Sequence, residues 1–331
     1  MKHIAILGDG GWGTALGMNL LQQGHQVMVW GAFPDYIEQI RNTRSNPRYL
    51  PGISIPDNLF FTADRDEVVE KADIVILAIP SKYCRAVFES FADKLPPDCA
   101  IISVSKGLDK DTHRRITEIA GEILGRKHIA ALSGPSLAQE VARGMPTAVV
   151  IACEDLQQAH FMQSVFMTPQ FRVYTSDDVI GVELGGALKN VIAIGVGASD
   201  GLGFGDNTRA ALITRGLAEI TRIGCALGAK PQTFAGLSGM GDLIATCTSN
   251  LSRNRSVGER IGRGESLEQI LNNMNQVAEG VSNCSIARAL ARKKEIRAPI
   301  IKKVCELVHE GKNARTAVNE LMTRTARLER S

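Results

Sequence analysis

The chain has 331 residues, 44% of them hydrophobic and 22% charged, with a formal net charge of +3. That is enough chain for two domains and too apolar for disorder. The charge is too small to hold nucleic acid or a membrane surface by electrostatics, so neither partner is expected. Cysteines number seven, an odd count with no CxxC pair. This speaks against a disulfide framework or a metal site and for a reducing, cytoplasmic setting. The N-terminal MKHIAILGDGG runs from a short apolar stretch into glycines, not into a cleavage site.

In the first half, short apolar runs rich in β-branched residues fall at 3–7, 26–30, 73–79, 99–104, 128–132 and 147–152. Amphipathic stretches at 14–23 and 109–124 lie between some of them. Continuous apolar runs predict strands covered on both faces, and their alternation with helices predicts a parallel, doubly wound α/β sheet of the Rossmann type. The longest apolar runs, such as Ala72–Pro80, are far shorter than the roughly 20 residues of a membrane span, so no stable membrane insertion is expected.

The pattern changes near 175–178. Helical periods then follow at 179–196, 208–227, 252–262, 279–291 and 299–310, with a Gly-rich connection at 196–206. This predicts an all-α second unit. The expected division is 1–178 for the sheet and 179–331 for the helices. The basic cluster at 288–297 reads as a solvated helix face.

Five segments carry chemistry. The first is GDGGWG, Gly8 to Gly13, after the first strand and opening a helix. Gly8 permits a tight turn, Gly10 lets backbone approach a pyrophosphate, and Gly13 lets the helix pack on the strand; Gly11 lies in the same turn. The helix start then offers N–H groups to the anion. Strand two ends in Trp30, Gly31, Ala32 and Phe33, without the acid that holds a ribose 2′-hydroxyl or an Arg for a 2′-phosphate. Arg41 and Arg44 come later and could reach a 2′-phosphate, so NAD and NADP both remain open.

The second segment is Ser105–Lys106–Gly107–Leu108, placing Lys106 where open sheets bind ligands or, equally, in an ordinary loop. The third is Leu132–Ser133–Gly134–Pro135–Ser136, at the same edge. Its small residues could lie against nicotinamide or substrate, or Ser133 or Ser136 could cap a helix. The fourth, from Glu183 to Ile194, sets Lys189 and Asn190 in a helix of Gly, Ala, Val, Ile and Leu. Burying an ammonium is costly, so Lys189 must reach water, pair, or lower its pKa and so become a general acid or base near neutrality. Glu183 and Asn190 share one helix face and could orient each other. The fifth joins GMGD, with Asp242, to Ser252–Arg253–Asn254–Arg255. Ser252 suits an N-cap, and cations in a first turn make sense if an anion docks there, with Arg253 as charged donor and Asn254 as neutral donor. Asp242 could pair with Lys189 or accept from a substrate hydroxyl.

Along nearly its whole length the chain resembles the bacterial NAD(P)-dependent glycerol-3-phosphate dehydrogenases. The resemblance rests on GDGGWGTAL, LPGI, LAIPS, SKGL, LSGPSLAQEV, ELGGALKNVIAIGVGASDGLGFGDNTRAALITRG, GLSGMGDLIATC, SRNRSVG and VAEGV. It implies a Rossmann domain followed by a helical domain of the 6-phosphogluconate dehydrogenase type. The implied activity interconverts glycerol-3-phosphate and dihydroxyacetone phosphate with NAD or NADP, with NADPH in the biosynthetic direction, for phospholipid synthesis. A homodimer is implied as well. By motif, Lys189 would exchange the proton. Lys106, Gly134, Ser136, Asp242, Ser252, Arg253 and Asn254 would contact the phosphorylated substrate. Trp12, Lys106, Ala138, Arg253, Val277 and Glu279 would contact the cofactor. Some family members carry Arg just after strand two; this chain does not, so strict NADP preference is not implied.

Overall fold

A computed structural model describes residues 1–274, 276–326 and 328–329. Eight strands form one sheet: β1 (His3–Leu7), β2 (Gln26–Trp30), β3 (Leu59–Thr62), β4 (Ile74–Leu77), β5 (Ala100–Ser103), β6 (Ala130–Ser133), β7 (Thr147–Ala152) and β8 (Phe171–Ser176). Their spatial order is β8-β7-β6-β5-β4-β1-β2-β3. Alternate residues of β1 serve opposite cores. Ile4 and Ile6 pack with Leu16 and Leu20 of α1 (Gly11–Leu21), while Ala5 and Leu7 pack with Phe88, Phe91, Ile116 and Ile119 on the other face. Helices thus cover both faces, as the unbroken apolar runs require.

The sheet departs from an all-parallel reading at β7, which runs antiparallel to β6; β8 then runs parallel to β7. The link from Ser133 to Thr147 is mostly loop, with the five-residue helix Ala138–Ala142. A parallel return would need a crossover to the far edge. Reversal instead keeps this whole link, with Gly134, Ser136 and Ala138, at the C-terminal edge of the parallel strands.

The sequence pattern missed β3 and β8. Both lie at sheet edges, and each shows a side chain to solvent between buried ones, so neither makes a continuous apolar run. The amphipathic stretch at 109–124 is helical only over Ile116–Leu124; before it, Asp109 accepts from Thr112 N and Oγ1 in a turn.

Beyond the sheet the chain is helical, centred on α3 (Val179–Gly201), with α4 (Asp206–Ala226), α5 (Asp242–Thr248), α6 (Arg253–Gly262), α7 (Glu279–Lys293) and α8 (Pro299–His309). The expected connection at 196–206 is only partly one, because α3 continues through Gly201. Its glycines are contact points rather than breaks. A Cβ at Gly197 or Gly201 would strike the carbonyl of Arg255 or Glu259 on α6, and one at Gly258 or Gly262 of α6 would strike the carbonyl of Ile194 or Ala198. Reciprocal glycines let two backbones touch, and that packing outweighs the helix penalty of roughly 1 kcal/mol per Gly. By length and composition α3 could cross a membrane, but 89% of its most apolar window is buried in the protein, as befits a core helix. In the basic cluster, Arg292, Lys293 and Lys294 are exposed, while Arg288 pairs with Glu310.

Candidate active site at the sheet edge

The glycine turn is dictated by contacts. Gly8 sits at φ +123°, and a Cβ there would meet the Ala78 carbonyl of the strand next door. A Cβ at Gly13 would strike the Gly8 carbonyl, so α1 rests directly on the turn. Gly10, at the N-cap of α1, faces open space, and no side chain caps the helix. The turn is held by Asn46, whose Nδ2 donates to Asp9 O at 2.8 Å and Thr14 Oγ1 at 3.0 Å. Trp12 packs against Phe171 with its buried indole N–H unpartnered. Ala138 lies beside Gly11, 3.8 Å from where a Cβ would stand.

Across the edge stands Glu279, the first residue of α7. It accepts from Ser81 N at 2.8 Å and Ser81 Oγ at 2.5 Å, in the loop after β4, and burial pushes its pKa up. Next to it the Val277 carbonyl accepts from Arg253 Nη1 at 2.8 Å. Segment 276–279 thus bridges the loop after β4 and the stretch between β2 and β3, since Gln276 also donates to the carbonyls of Arg48 and Tyr49.

The centre is a three-charge cluster. Asp242, 2% exposed, binds Lys189 Nζ through Oδ1 at 2.6 Å and Lys106 Nζ through Oδ2 at 2.7 Å. Lys106 also donates to Gly134 O at 2.8 Å and Ser136 Oγ at 3.2 Å. Lys189 also donates to Thr246 Oγ1, one turn beyond Asp242 on α5. Burial pushes the Lys189 amine down to about 8; Asp242 opposes this and the positive charge of Lys106 assists it. Glycines bring the parts together, because a Cβ at Gly186 would lie 2.6 Å from Ser133 Oγ and one at Gly185 2.6 Å from Ser238 O.

The helix start at Ser252 adjoins this cluster. Ser252 Oγ accepts from Arg255 N, capping α6. Asn254 Nδ2 donates to Asn190 Oδ1 at 2.9 Å, and Asn254 Oδ1 accepts from Gly280 N at 2.9 Å. Asn190 in turn donates to Lys106 O at 3.3 Å. Lys189, Lys106, Arg253 and Asn254 are therefore tied into one neighbourhood, although they come from three separate stretches.

Three sequence expectations are corrected here. Glu183 and Asn190 do not orient each other: Glu183 is committed to Arg115 and Thr117, and Asn190 to Asn254 and Lys106 O. A shared helix face ensured only that both point inward. Arg255 does not join Arg253, because its Nε binds Asp200 at 2.8 Å. Neither Ser133 nor Ser136 caps a helix; Leu137 holds the N-cap position and Ser136 binds Lys106. Of the arginines considered for a 2′-phosphate, Arg44 donates to the carbonyls of Pro56 and Leu59. The role of Thr246 was missed, though its spacing of four from Asp242 on a helix would have shown it.

A glycine turn at the C-terminal edge of a doubly wound sheet, facing a buried lysine on the helical domain and a second lysine from the loop after β5, defines a two-domain nicotinamide-nucleotide dehydrogenase. Residues 3–159 match the family model for the NAD-dependent glycerol-3-phosphate dehydrogenase N-terminus, and residues 178–319 match the model for its C-terminus. The chain belongs to the NAD-dependent glycerol-3-phosphate dehydrogenase family. It is 50% identical to the glycerol-3-phosphate dehydrogenase (NAD(P)+) of Citrifermentans bemidjiense, covering 99% of each chain. It is 46% identical to that of Streptomyces coelicolor, covering 98% of each. The solved glycerol-3-phosphate dehydrogenase of Coxiella burnetii superposes with a TM-score of 0.94 at 39% identity, over 98% of this chain and 99% of that one. A ketopantoate reductase from Ralstonia eutropha, at 15% identity and a TM-score of 0.59, shares the fold alone.

Proposed function

We propose that the chain interconverts dihydroxyacetone phosphate and glycerol-3-phosphate with NAD(H) or NADP(H), through the residues around Asp242. The observation that carries this reading is two amines, Lys189 buried and Lys106 half-buried, on one buried carboxylate, beside the capped helix start at Ser252. That cluster has surplus positive charge where an anionic, oxygen-rich substrate can meet the nucleotide.

The residues present fit a dinucleotide. The open Gly10, the helix start without a side-chain cap and the unpartnered Trp12 indole suit a pyrophosphate crossing the turn formed by Gly8, Gly10, Gly11 and Gly13. Ala138, Val277 and Glu279, with Lys106 and Arg253, would line the rest of its path. When bound, the nicotinamide supplies the hydride for reduction and accepts it in oxidation.

The chain's own work is binding, orientation and proton handling. Arg253, Asn254 and Ser252 hold the substrate phosphate at the start of α6. Gly134 and Ser136, with Lys106, orient the carbon chain. In reduction, Lys189 Nζ donates a proton to the carbonyl oxygen and Lys106 adds charge against the developing alkoxide. In oxidation, neutral Lys189 takes the proton from the C2 hydroxyl. An amine brought to about 8 is available in both forms near neutrality. Asp242 holds both amines in place.

The proposed division of labour is residues 1–178 for the nucleotide and residues 179–331 for substrate and dimerisation. A cytoplasmic homodimer supplying glycerol-3-phosphate for phospholipid synthesis is the setting that fits the family. Following NADH and NADPH absorbance with dihydroxyacetone phosphate tests the activity: phosphate-dependent turnover is expected. Absence of turnover with either nucleotide would sink the reading.

A further inference from the structure

The end of β2 lacks the acid that nucleotide folds place there, yet a carboxylate occupies the neighbourhood. Asp9, the second residue of the glycine turn, folds its side chain onto Gly31, the first residue after β2. A Cβ on Gly31 would stand 2.7 Å from Asp9 Cγ and 2.9 Å from Asp9 Oδ2. Glycine at 31 therefore leaves room for this carboxyl group. Asp9 Oδ2 is buried and has no hydrogen-bond partner in the protein. Burial raises the Asp9 pKa, with only its own backbone N–H and the charge of Arg48 opposing that rise. A desolvated carboxylate oxygen without a donor is rare in a finished protein and calls for one from elsewhere.

Its position is fixed rather than accidental. Asn46 Nδ2 clamps the Asp9 carbonyl, while Asn46 Oδ1 accepts from Tyr36 OH at 2.7 Å and Tyr49 N at 3.2 Å. Tyr36 belongs to α2, the short helix Pro34–Thr43 after β2. The cation on this side, Arg48, lies 5.3 Å and 5.8 Å from the ring centroids of Tyr36 and Tyr49 and is engaged with them.

We propose that Asp9 determines nucleotide choice: its carboxylate stands in for the missing acid of β2, accepts from the adenosine ribose hydroxyls and repels a 2′-phosphate, so that NADH binds more tightly than NADPH. This rests on the dehydrogenase reading and sharpens it. A hydroxyl in place of a 2′-phosphate gives the orphaned oxygen its donor, whereas a phosphate brings a second anion to a poorly solvated one.

The test is binding without substrate, by titrating the full chain with NADH and NADPH and following nucleotide and tryptophan fluorescence. Wild type should favour NADH by about ten- to hundredfold, the value of one charge-assisted hydrogen bond. Asp9→Ser should narrow that ratio about tenfold or more, largely by tightening NADPH. Asp9→Asn, which keeps the shape, should narrow it too, and melting curves of both variants check the fold. Equal affinities in wild type, or a ratio unmoved by both variants, would overturn the proposal. So would a fall in NADPH affinity in Arg48→Gln with NADH affinity kept, which would make Arg48 a phosphate holder. If wild type binds neither nucleotide, the dehydrogenase reading itself fails.

Discussion

Two buried charged groups lie six positions apart on α3, and they behave differently. Glu183 is closed: it accepts from Thr117 N at 2.9 Å, Thr117 Oγ1 at 2.5 Å and Arg115 Nη1 at 2.8 Å. Two carboxylates, Glu183 and Glu118, meet the Arg115 guanidinium, and the contact ties α3 to Ile116–Leu124 under the sheet. Lys189 is open: it shares a single carboxylate with a second amine, and the sum is positive. Burial disfavours the charged form of both, raising the pKa of Glu183 and lowering that of Lys189. Burial and a shifted pKa therefore do not distinguish structure from chemistry. Their places differ: Lys189 shares its carboxylate at the C-terminal edge of the sheet, where open α/β sheets bind ligands.

The sharpest way to break this contrast is Lys189→Ala. Turnover should fall by about 10² to 10⁴, the usual worth of a general acid–base group, while the melting temperature changes little because Asp242 keeps Lys106. A variant with near-normal kcat would place the chemistry elsewhere.

Glu183→Ala should do the reverse. Leaving the Thr117 groups without their acceptor and Arg115 with Glu118 alone should cost about 3 kcal/mol of stability, read by urea unfolding, with kcat of the folded fraction preserved. Gly258→Ala tests the helix contact on which α6 rests. Forcing α3 and α6 apart should lower stability by about 1–3 kcal/mol and raise KM for the phosphorylated substrate, since Ser252–Asn254 move with α6.

The smallest expected effect is a pH shift. In the proposed role oxidation needs neutral Lys189, so kcat/KM for glycerol-3-phosphate should rise with pH through about 8; reduction needs the charged amine and should decline over the same range. Asp242→Asn removes the attraction that holds the proton on Lys189. The inflection for oxidation should then move to lower pH; an unmoved profile would detach Asp242 from the titration.

Much of this was legible in the chain. The GDGGWG turn was readable because its glycines act within a few residues of one another, between a strand and a helix. Lys189 stood out because a lone ammonium among Gly, Ala, Val and Ile conflicts with its surroundings. Asp242 was left with two roles because its partners, Lys106 and Lys189, are remote in sequence and nothing local marks the pairing. Arg255 misled for the same reason: its carboxylate, Asp200, belongs to another helix.

By itself the sequence determined where strands give way to helices, where the turn for a dinucleotide falls, and that Lys189 carries a charge into an otherwise apolar helix. These follow from periodicity and from local backbone demands. The tertiary structure alone decided that β7 reverses, that both amines share Asp242, that Glu183 closes on Arg115 while Asn190 reaches Asn254, and that Asp9 lies on Gly31. Each of those outcomes depends on which distant segments are brought into contact, and the period of a helix or strand carries no record of its partners.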